Sequence, residues 1–223
     1  FQLDYAPLPG GDVSTRKPAR LALAYLHHLG LLDQAEGLAT YLYLNEIERQ
    51  VLIHQVETGF NTPQTSSMGR LFDAVAALIG LYQEINYEAQ NAISLEAIAD
   101  PDEIAAYELP IQGSRILLKP LFEQILADLR QNLPQSAISA RFHNAINHLA
   151  LKVSDQLRTE TGVNTVAISG GVWQNRRLIN NIIPALQKAG FTPLWHHQVP
   201  TNDGGVALGQ LMTALFQTGM LKE

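Results

Sequence analysis

The chain has 223 residues, 46% of them hydrophobic and 16% charged, with a formal net charge of −6. That composition is globular, with length for one large domain or two small ones. The acidic balance argues against general nucleic-acid binding, the lack of Cys excludes disulfides, thiolate metal sites and a cysteine nucleophile, and no membrane-length apolar run or signal peptide is visible, so a cytoplasmic setting is expected.

Phe1-Gln2-Leu3-Asp4 begins without Met and reads as the middle of a longer protein. Residues 5 to 18 hold Pro7, Pro9, Gly10, Gly11 and Pro18, a turning segment that launches a helix at Pro18, with Ser14 or Thr15 as cap candidates. His27 and His28 are adjacent on that helix, about 100° apart, and cannot share a metal. A second helix is predicted over Leu44 to Glu57. Thr65-Ser66-Ser67 then caps a third, running to about Leu78.

Gly69 and Asp73 lie four apart on one face of this otherwise apolar third helix. Glycine there costs up to about 1 kcal/mol against Ala, and an Asp risks a buried charge. Two unfavourable choices on one face point to a close ligand whose hydroxyls the Asp accepts from. The plainer alternative is tight helix packing at Gly69 and a half-solvated Asp73.

Tyr87-Glu88-Ala89-Gln90 opens a further helix, running to Ala99. Tyr107 to Ile111 and Arg115 to Leu118 read as a hairpin, and Pro120 starts a helix through Arg130. Residues 136 to 160 form one long helix, on which His143 and His148, five apart, suit packing better than a shared metal. Val166 to Ile168 reads as a buried strand. It ends in Ser169-Gly170-Gly171 and leads to a helix from about Asn175 to Lys188. Strand, glycine turn and helix N-terminus together supply backbone N–H groups for phosphate. Phe191 to Trp195 makes a second strand. After it, Asn202-Asp203-Gly204-Gly205 turns into an apolar helix, with Asp203 at or near the N-cap. Capping alone accounts for Asp203; the functional reading is a carboxylate at a strand-end crevice, available to metal or phosphate.

Three phrases carry a resemblance: Ser-Ser-Met-Gly-Arg-Leu-Phe-Asp (66–73), Ser-Gly-Gly-Val-Trp-Gln-Asn (169–175) and Pro-Thr-Asn-Asp-Gly-Gly-Val-Ala-Leu-Gly-Gln (200–210). Leu8-Pro9-Gly10-Gly11-Asp12, Tyr87-Glu88-Ala89-Gln90 and Phe142-His143-Asn144 add to it in order. Together they resemble the C-terminal part of the HypF family, carbamoyltransferases that mature [NiFe]-hydrogenases. The family's nearest kin are the Kae1/TsaD proteins of tRNA threonylcarbamoyladenosine synthesis. Ala89 stands where this family is expected to have Gly, and Trp173 where it has Phe.

The resemblance implies an α/β, actin/Hsp70-like (ASKHA) nucleotide-binding lobe with a large helical portion. Residues 1–17 would connect from a missing N-terminal subdomain, 18–160 would be the mainly helical portion, and 161–223 the nucleotide and metal portion. Gly69 and Asp73 would lie against the nucleotide, with Asp73 on the ribose hydroxyls. Ser169, Gly170 and Gly171 would face phosphate, with Asn175 helping to fix the nucleotide. Asp203 would be one ligand of a divalent ion (Mg, Zn or Fe), the other ligands being histidines of an H-x-x-x-H helix that this chain lacks. The implied chemistry uses ATP and carbamoyl phosphate. It passes through carbamoyl-adenylate and delivers the carbamoyl group to the C-terminal Cys of a HypE-type maturation protein. A tRNA threonylcarbamoyl transferase is the nearest alternative, disfavoured by the negative charge and the Asn-Asp-Gly-Gly order. An inactive scaffold or docking lobe is the other.

Overall fold

Pro18 fixes the first turn of the helix on which the larger part of the chain is built. The computed structural model describes residues 1–220. The chain divides into two compact units, 1–149 and 150–223.

In the first unit, β1 (Gln2–Leu3) and β2 (Ala6–Pro7) precede the short α1 (Asp12–Arg16) and α2 (Pro18–His28). Proline at the first helical position forfeits no intrahelical bond. Neither expected cap acts on α2. Ser14 donates to the Pro9 carbonyl and Thr15 to that of Asp12, and the N-cap position falls to Lys17, without a side-chain bond. From Pro18 to Leu26 every residue but Arg20 is buried, so α2 is covered nearly all round, as a central helix must be.

Next come α3 (Ala39–Tyr43) and α4 (Glu46–Thr58). A reciprocal capping box between Asn45 and Glu48 opens α4, and Gly59, at φ +72°, closes it. β3 (Gln64–Thr65) pairs antiparallel with β2. Ser67 then caps α5 (Met68–Leu78) by accepting from the Arg70 N–H. α5 is buried continuously from Leu71 to Leu78 and packs against α2 and against α6 (Gln90–Ile98).

α6 starts at Gln90, three residues later than the sequence predicts, because Ala89 takes the left-handed conformation at φ +61°. The position where glycine was expected is thus one whose backbone favours glycine. The predicted hairpin is shorter than expected: only β4 (Ile111–Gln112) and β5 (Arg115–Ile116) pair. β1 adds to β5 in parallel, a pairing the sequence did not signal.

α7 (Lys119–Arg130) and α8 (Gln135–Thr161) complete the helical set. Phe142 meets Phe72 edge-on at 4.8 Å, and Tyr25 packs on Phe122 at 5.5 Å. His143 is fully buried, with Nδ1–H donating to the Ser139 carbonyl at 2.8 Å, whereas His148 is exposed. One histidine packs and the other is solvated.

In the second unit β6 (Thr165–Ile168) and β7 (Thr192–Trp195) pair in parallel, joined by α9 (Arg176–Lys188) in the usual crossover manner. Ile168, Ile182, Ile183, Leu186 and Phe191 form its core. Arg158 clamps the α9–β7 turn, with its guanidinium 4.0 Å over the Phe191 ring and an N–H donated to the Ala189 carbonyl. Of β6 only Ile168 is buried, which corrects the expectation of a buried strand. The pair has α9 on one face, so alternate residues such as Ala167 and Leu194 stay exposed. α10 (Val206–Gln217) follows, with Leu208, Leu211 and Phe216 exposed. Among the described residues no helix is long and apolar enough to cross a membrane.

Candidate functional site

The predicted site residues fall into two groups, one in each unit. In the first unit Gly69 and Asp73 share α5, one turn apart. A Cβ built on Gly69 would meet only the Ser67 Oγ, at 3.6 Å, an ordinary contact. Tight packing inside the chain therefore does not explain this glycine.

Asp73 is 1% exposed, so the half-solvated alternative also fails. Its Oδ2 lies 3.0 Å from Arg70 Nη2, yet out of the alignment a hydrogen bond needs. Burial pushes the Asp73 carboxyl up to about 6, against the pull of Arg70. The Tyr25 hydroxyl is pushed up as well, first by burial, with Asp73 adding and Arg70 opposing. The backbone under Asp73 is held by Asn91, fully buried, whose Nδ2 donates to the Tyr82 carbonyl at 2.9 Å and to that of Asp73 at 3.5 Å.

In the second unit two turns meet at the carboxyl ends of β6 and β7. Gly170 takes φ +103°, a conformation essentially reserved for glycine, and its N–H donates to the Thr201 carbonyl at 2.9 Å. That donor is thus spent on joining the turns. Gly171 opens a 3₁₀ turn, Gly171–Gln174, and a Cβ on it would meet only Asn202, at 3.9 Å. The N–H groups of Gly171 and Val172 have no acceptor among the described residues, whereas that of Trp173 returns to the Gly170 carbonyl. Ser169 is exposed, and its Oγ lies 3.2 Å from Nε2 of His196.

Asn175 is the N-cap of α9, its Oδ1 accepting from the Leu178 N–H at 2.9 Å. Asp203 differs from the expectation. The capping oxygen belongs to Asn202, whose Oδ1 accepts from the Gly204 N–H at 3.1 Å. Asn202 precedes the 3₁₀ turn Asp203–Gly205 and holds the geometry Asp203 was expected to hold. Asp203 is exposed, and its carboxylate makes no hydrogen bond or ion pair among the described residues. The glycines after it serve the turn itself: a Cβ on Gly205 would stand 2.8 Å from the Pro200 carbonyl oxygen, and one on Gly204 3.0 Å from the Pro200 ring. No group of three or more His, Asp or Glu able to hold a metal occurs among the described residues. Asp203 fits a divalent ion as a single oxygen ligand only.

Sequence reasoning missed Arg70, Asn202 and His196. A helical offset of three from Asp73 signals the first. The second required knowing which of two adjacent Asx residues takes the extended backbone. The third follows from parallel register, since Ile168 faces Trp195 and the next pair is Ser169 and His196.

Residues 1–210 match the family described as "Carbamoyltransferase, Kae1-like Domain, second subdomain". The chain is 34% identical to Carbamoyltransferase HypF of Synechocystis sp., over 93% of this chain and 29% of that protein. It is 33% identical to a "Carbamoyltransferase HypF homolog" of Cupriavidus necator, over 96% of this chain and 57% of that protein. Its backbone superposes on a crystal structure of full-length HypF in the phosphate- and nucleotide-bound form with TM-score 0.88 and 35% identity, covering 96% of this chain and 34% of that one. A crystal structure of T.kodakarensis HypF gives TM-score 0.83 at 28% identity, covering 99% of this chain and 30% of that one. The chain thus spans about 29% of the length of the Synechocystis relative.

Proposed function

This chain belongs to the HypF carbamoyltransferase family, in the second subdomain of its Kae1-like domain, and on that premise we propose that it supplies the nucleotide and metal lobe of an ATP-dependent carbamoyl transfer. In this reading residues 1–17 connect from a first subdomain, 18–160 form the helical part and 161–223 carry the phosphate and metal contacts. In the whole enzyme carbamoyl phosphate is hydrolysed to carbamate with release of phosphate, and a carbamate oxygen then attacks the α-phosphorus of ATP, giving carbamoyl-adenylate and pyrophosphate. The thiol of a C-terminal Cys on a HypE-type partner in the cytoplasm then attacks the carbamoyl carbon, and AMP leaves.

The observation that carries the reading is the joined pair of turns at the ends of β6 and β7. The Gly170 N–H to Thr201 carbonyl bond ties the turn that carries the exposed Ser169 hydroxyl and the unclaimed N–H groups of Gly171 and Val172 to the segment that leads into Asp203. Two N–H groups and a hydroxyl in one turn suit a phosphate. Asp203 would hold a divalent ion there, which when bound neutralises phosphate charge. Asn175 keeps the turn in place through its cap on α9. Gly69 allows a nucleotide to approach α5 without a Cβ in the way, and Asp73 accepts from the ribose hydroxyls. The chain's own residues position the reactants and stabilise charge, and the nucleophilic sulfur comes from the partner.

Titration calorimetry of ATP with Mg²⁺ into the full-length gene product tests the reading. Asp73→Ala and Asp203→Ala should each weaken binding about tenfold or more. Wild-type affinity in both variants would remove these residues from the site.

A further inference from the structure

The predicted phosphate turn contains a side-chain pair that the family phrases do not explain. Ser169 is the first residue past β6 and His196 the first past β7. The strands are parallel and in register at Ile168 and Trp195, so the two side chains project from neighbouring strand ends, and Oγ meets Nε2 at 3.2 Å. Both stand just past the carboxyl ends of their strands, whose last residues, Ile168 and Trp195, pack with the α9 core. Ligands of open α/β sheets bind outside the carboxyl ends of the strands, where this pair stands.

We propose that His196 is a positioning residue of the Ser169 turn, holding the Ser169 hydroxyl so that its O–H donates to a phosphate oxygen of the nucleotide. This rests on the nucleotide reading above. The donor inventory of the turn gives the reason. Gly170 N–H is committed to Thr201 and Trp173 N–H to Gly170, so the backbone leaves only the donors of Gly171 and Val172. The hydroxyl is the one side-chain donor in the Ser-Gly-Gly segment. It carries one proton and two lone pairs, and it rotates freely unless a neighbour fixes it. An Nε2–H donated to Oγ occupies a lone pair and leaves the proton to point outward. The relay runs from Nε2–H to Oγ–H to the phosphate oxygen, with no proton transferred. His197 has no part in this relay, because its ring lies against Trp195 with centroids 4.5 Å apart.

The test is a double-mutant cycle on ATP affinity in the full-length gene product, using Ser169→Ala, His196→Ala, the double variant and His196→Gln. Gln presents its amide N–H₂ at nearly the reach of Nε2, whereas Ala removes the donor. Ser169→Ala should weaken ATP about tenfold and His196→Ala about fivefold. The double variant should be no worse than Ser169→Ala, and His196→Gln should stay within about twofold of wild type. Losses that add in the double variant, or a His196→Gln variant as weak as His196→Ala, would overturn the positioning role. An unchanged His196→Ala variant overturns it too. Wild-type affinity in Ser169→Ala itself defeats the phosphate-turn reading on which the inference rests, and so separates that failure from this one. A ¹⁵N spectrum of His196 adds a direct readout: Ser169→Ala should change the tautomer balance of an Nε2 that donates to Oγ, and an unchanged balance counts against the pair.

Discussion

The guanidinium of Arg70 stands 3.0 Å from the buried carboxylate of Asp73, one helical turn away on α5. Even so, the carboxyl is held up at about 6, because desolvation outweighs the pair. In the unfolded chain it ionises near 3.8, so between these values the folded state keeps a proton that the unfolded state has lost. Stability tied to this group is therefore full below about pH 4 and is lost as pH rises through 6. Asp73→Asn removes the penalty. It should raise the unfolding free energy above wild type at pH 8, by an upper limit of about 3 kcal/mol, and the melting temperature with it, the gap closing toward pH 4. Calorimetric melts of both proteins across that range check it; a gap independent of pH would show that Asp73 does not titrate as described. In the proposed function the same variant weakens ATP, so stability and binding move in opposite directions.

Ala89 holds a left-handed φ of +61° without the freedom glycine has there. Ala89→Gly should stabilise the chain by about 0.5–1 kcal/mol, the left-handed penalty less glycine's greater unfolded entropy. Ala89→Val should destabilise it by more, because a β-branched side chain tolerates positive φ least. Urea unfolding measures both, and the order Gly above Ala above Val is the expected result.

The glycines of the two joined turns separate by cause. Gly205→Ala drives a Cβ to 2.8 Å from backbone and should disorder the turn, costing about 1–3 kcal/mol. Gly171→Ala meets only the Asn202 side chain at 3.9 Å, at a backbone with negative φ, and should leave the melting temperature within about 1 °C. A loss of ATP affinity in Gly171→Ala at unchanged stability then reports on the ligand's approach and not on the fold.

Asn175 has a visible duty as the cap of α9. Asn175→Ala should cost about 1 kcal/mol, whereas Asn175→Asp keeps the capping oxygen and most of the stability. A carboxylate beside a phosphate repels it, so Asn175→Asp should bind ATP more weakly than its stability suggests. Equal affinity in Asn175→Asp and wild type would confine Asn175 to the cap.

Much of this architecture is legible from local chemistry. Pro18 marks a helix start by its fixed φ and Ser67 by a bond made within three residues, and the strand–turn–helix around Ser169 follows from β-branched residues meeting glycine. What escapes is decided between distant segments. Whether Asp73 is buried depends on α2 and α6 closing over it, and whether Val166 is covered depends on how many strands join the sheet. The competition between Asn202 and Asp203 for one cap is settled by backbone angles that neither residue announces. Asp203's freedom, the feature of most chemical use, is a by-product of its neighbour winning.

The doublet His196-His197, just past the end of β7, is split between two neighbours: one imidazole goes to Ser169 and the next to Trp195. A single-residue deletion in the α9–β7 turn would slide the doublet by one place and present His197 to the serine in its stead. The same slip would turn Pro193 and Trp195 away from the α9 core and Leu194 toward it, so the register that packs Trp195 against that core is also what decides which of two adjacent histidines meets Ser169.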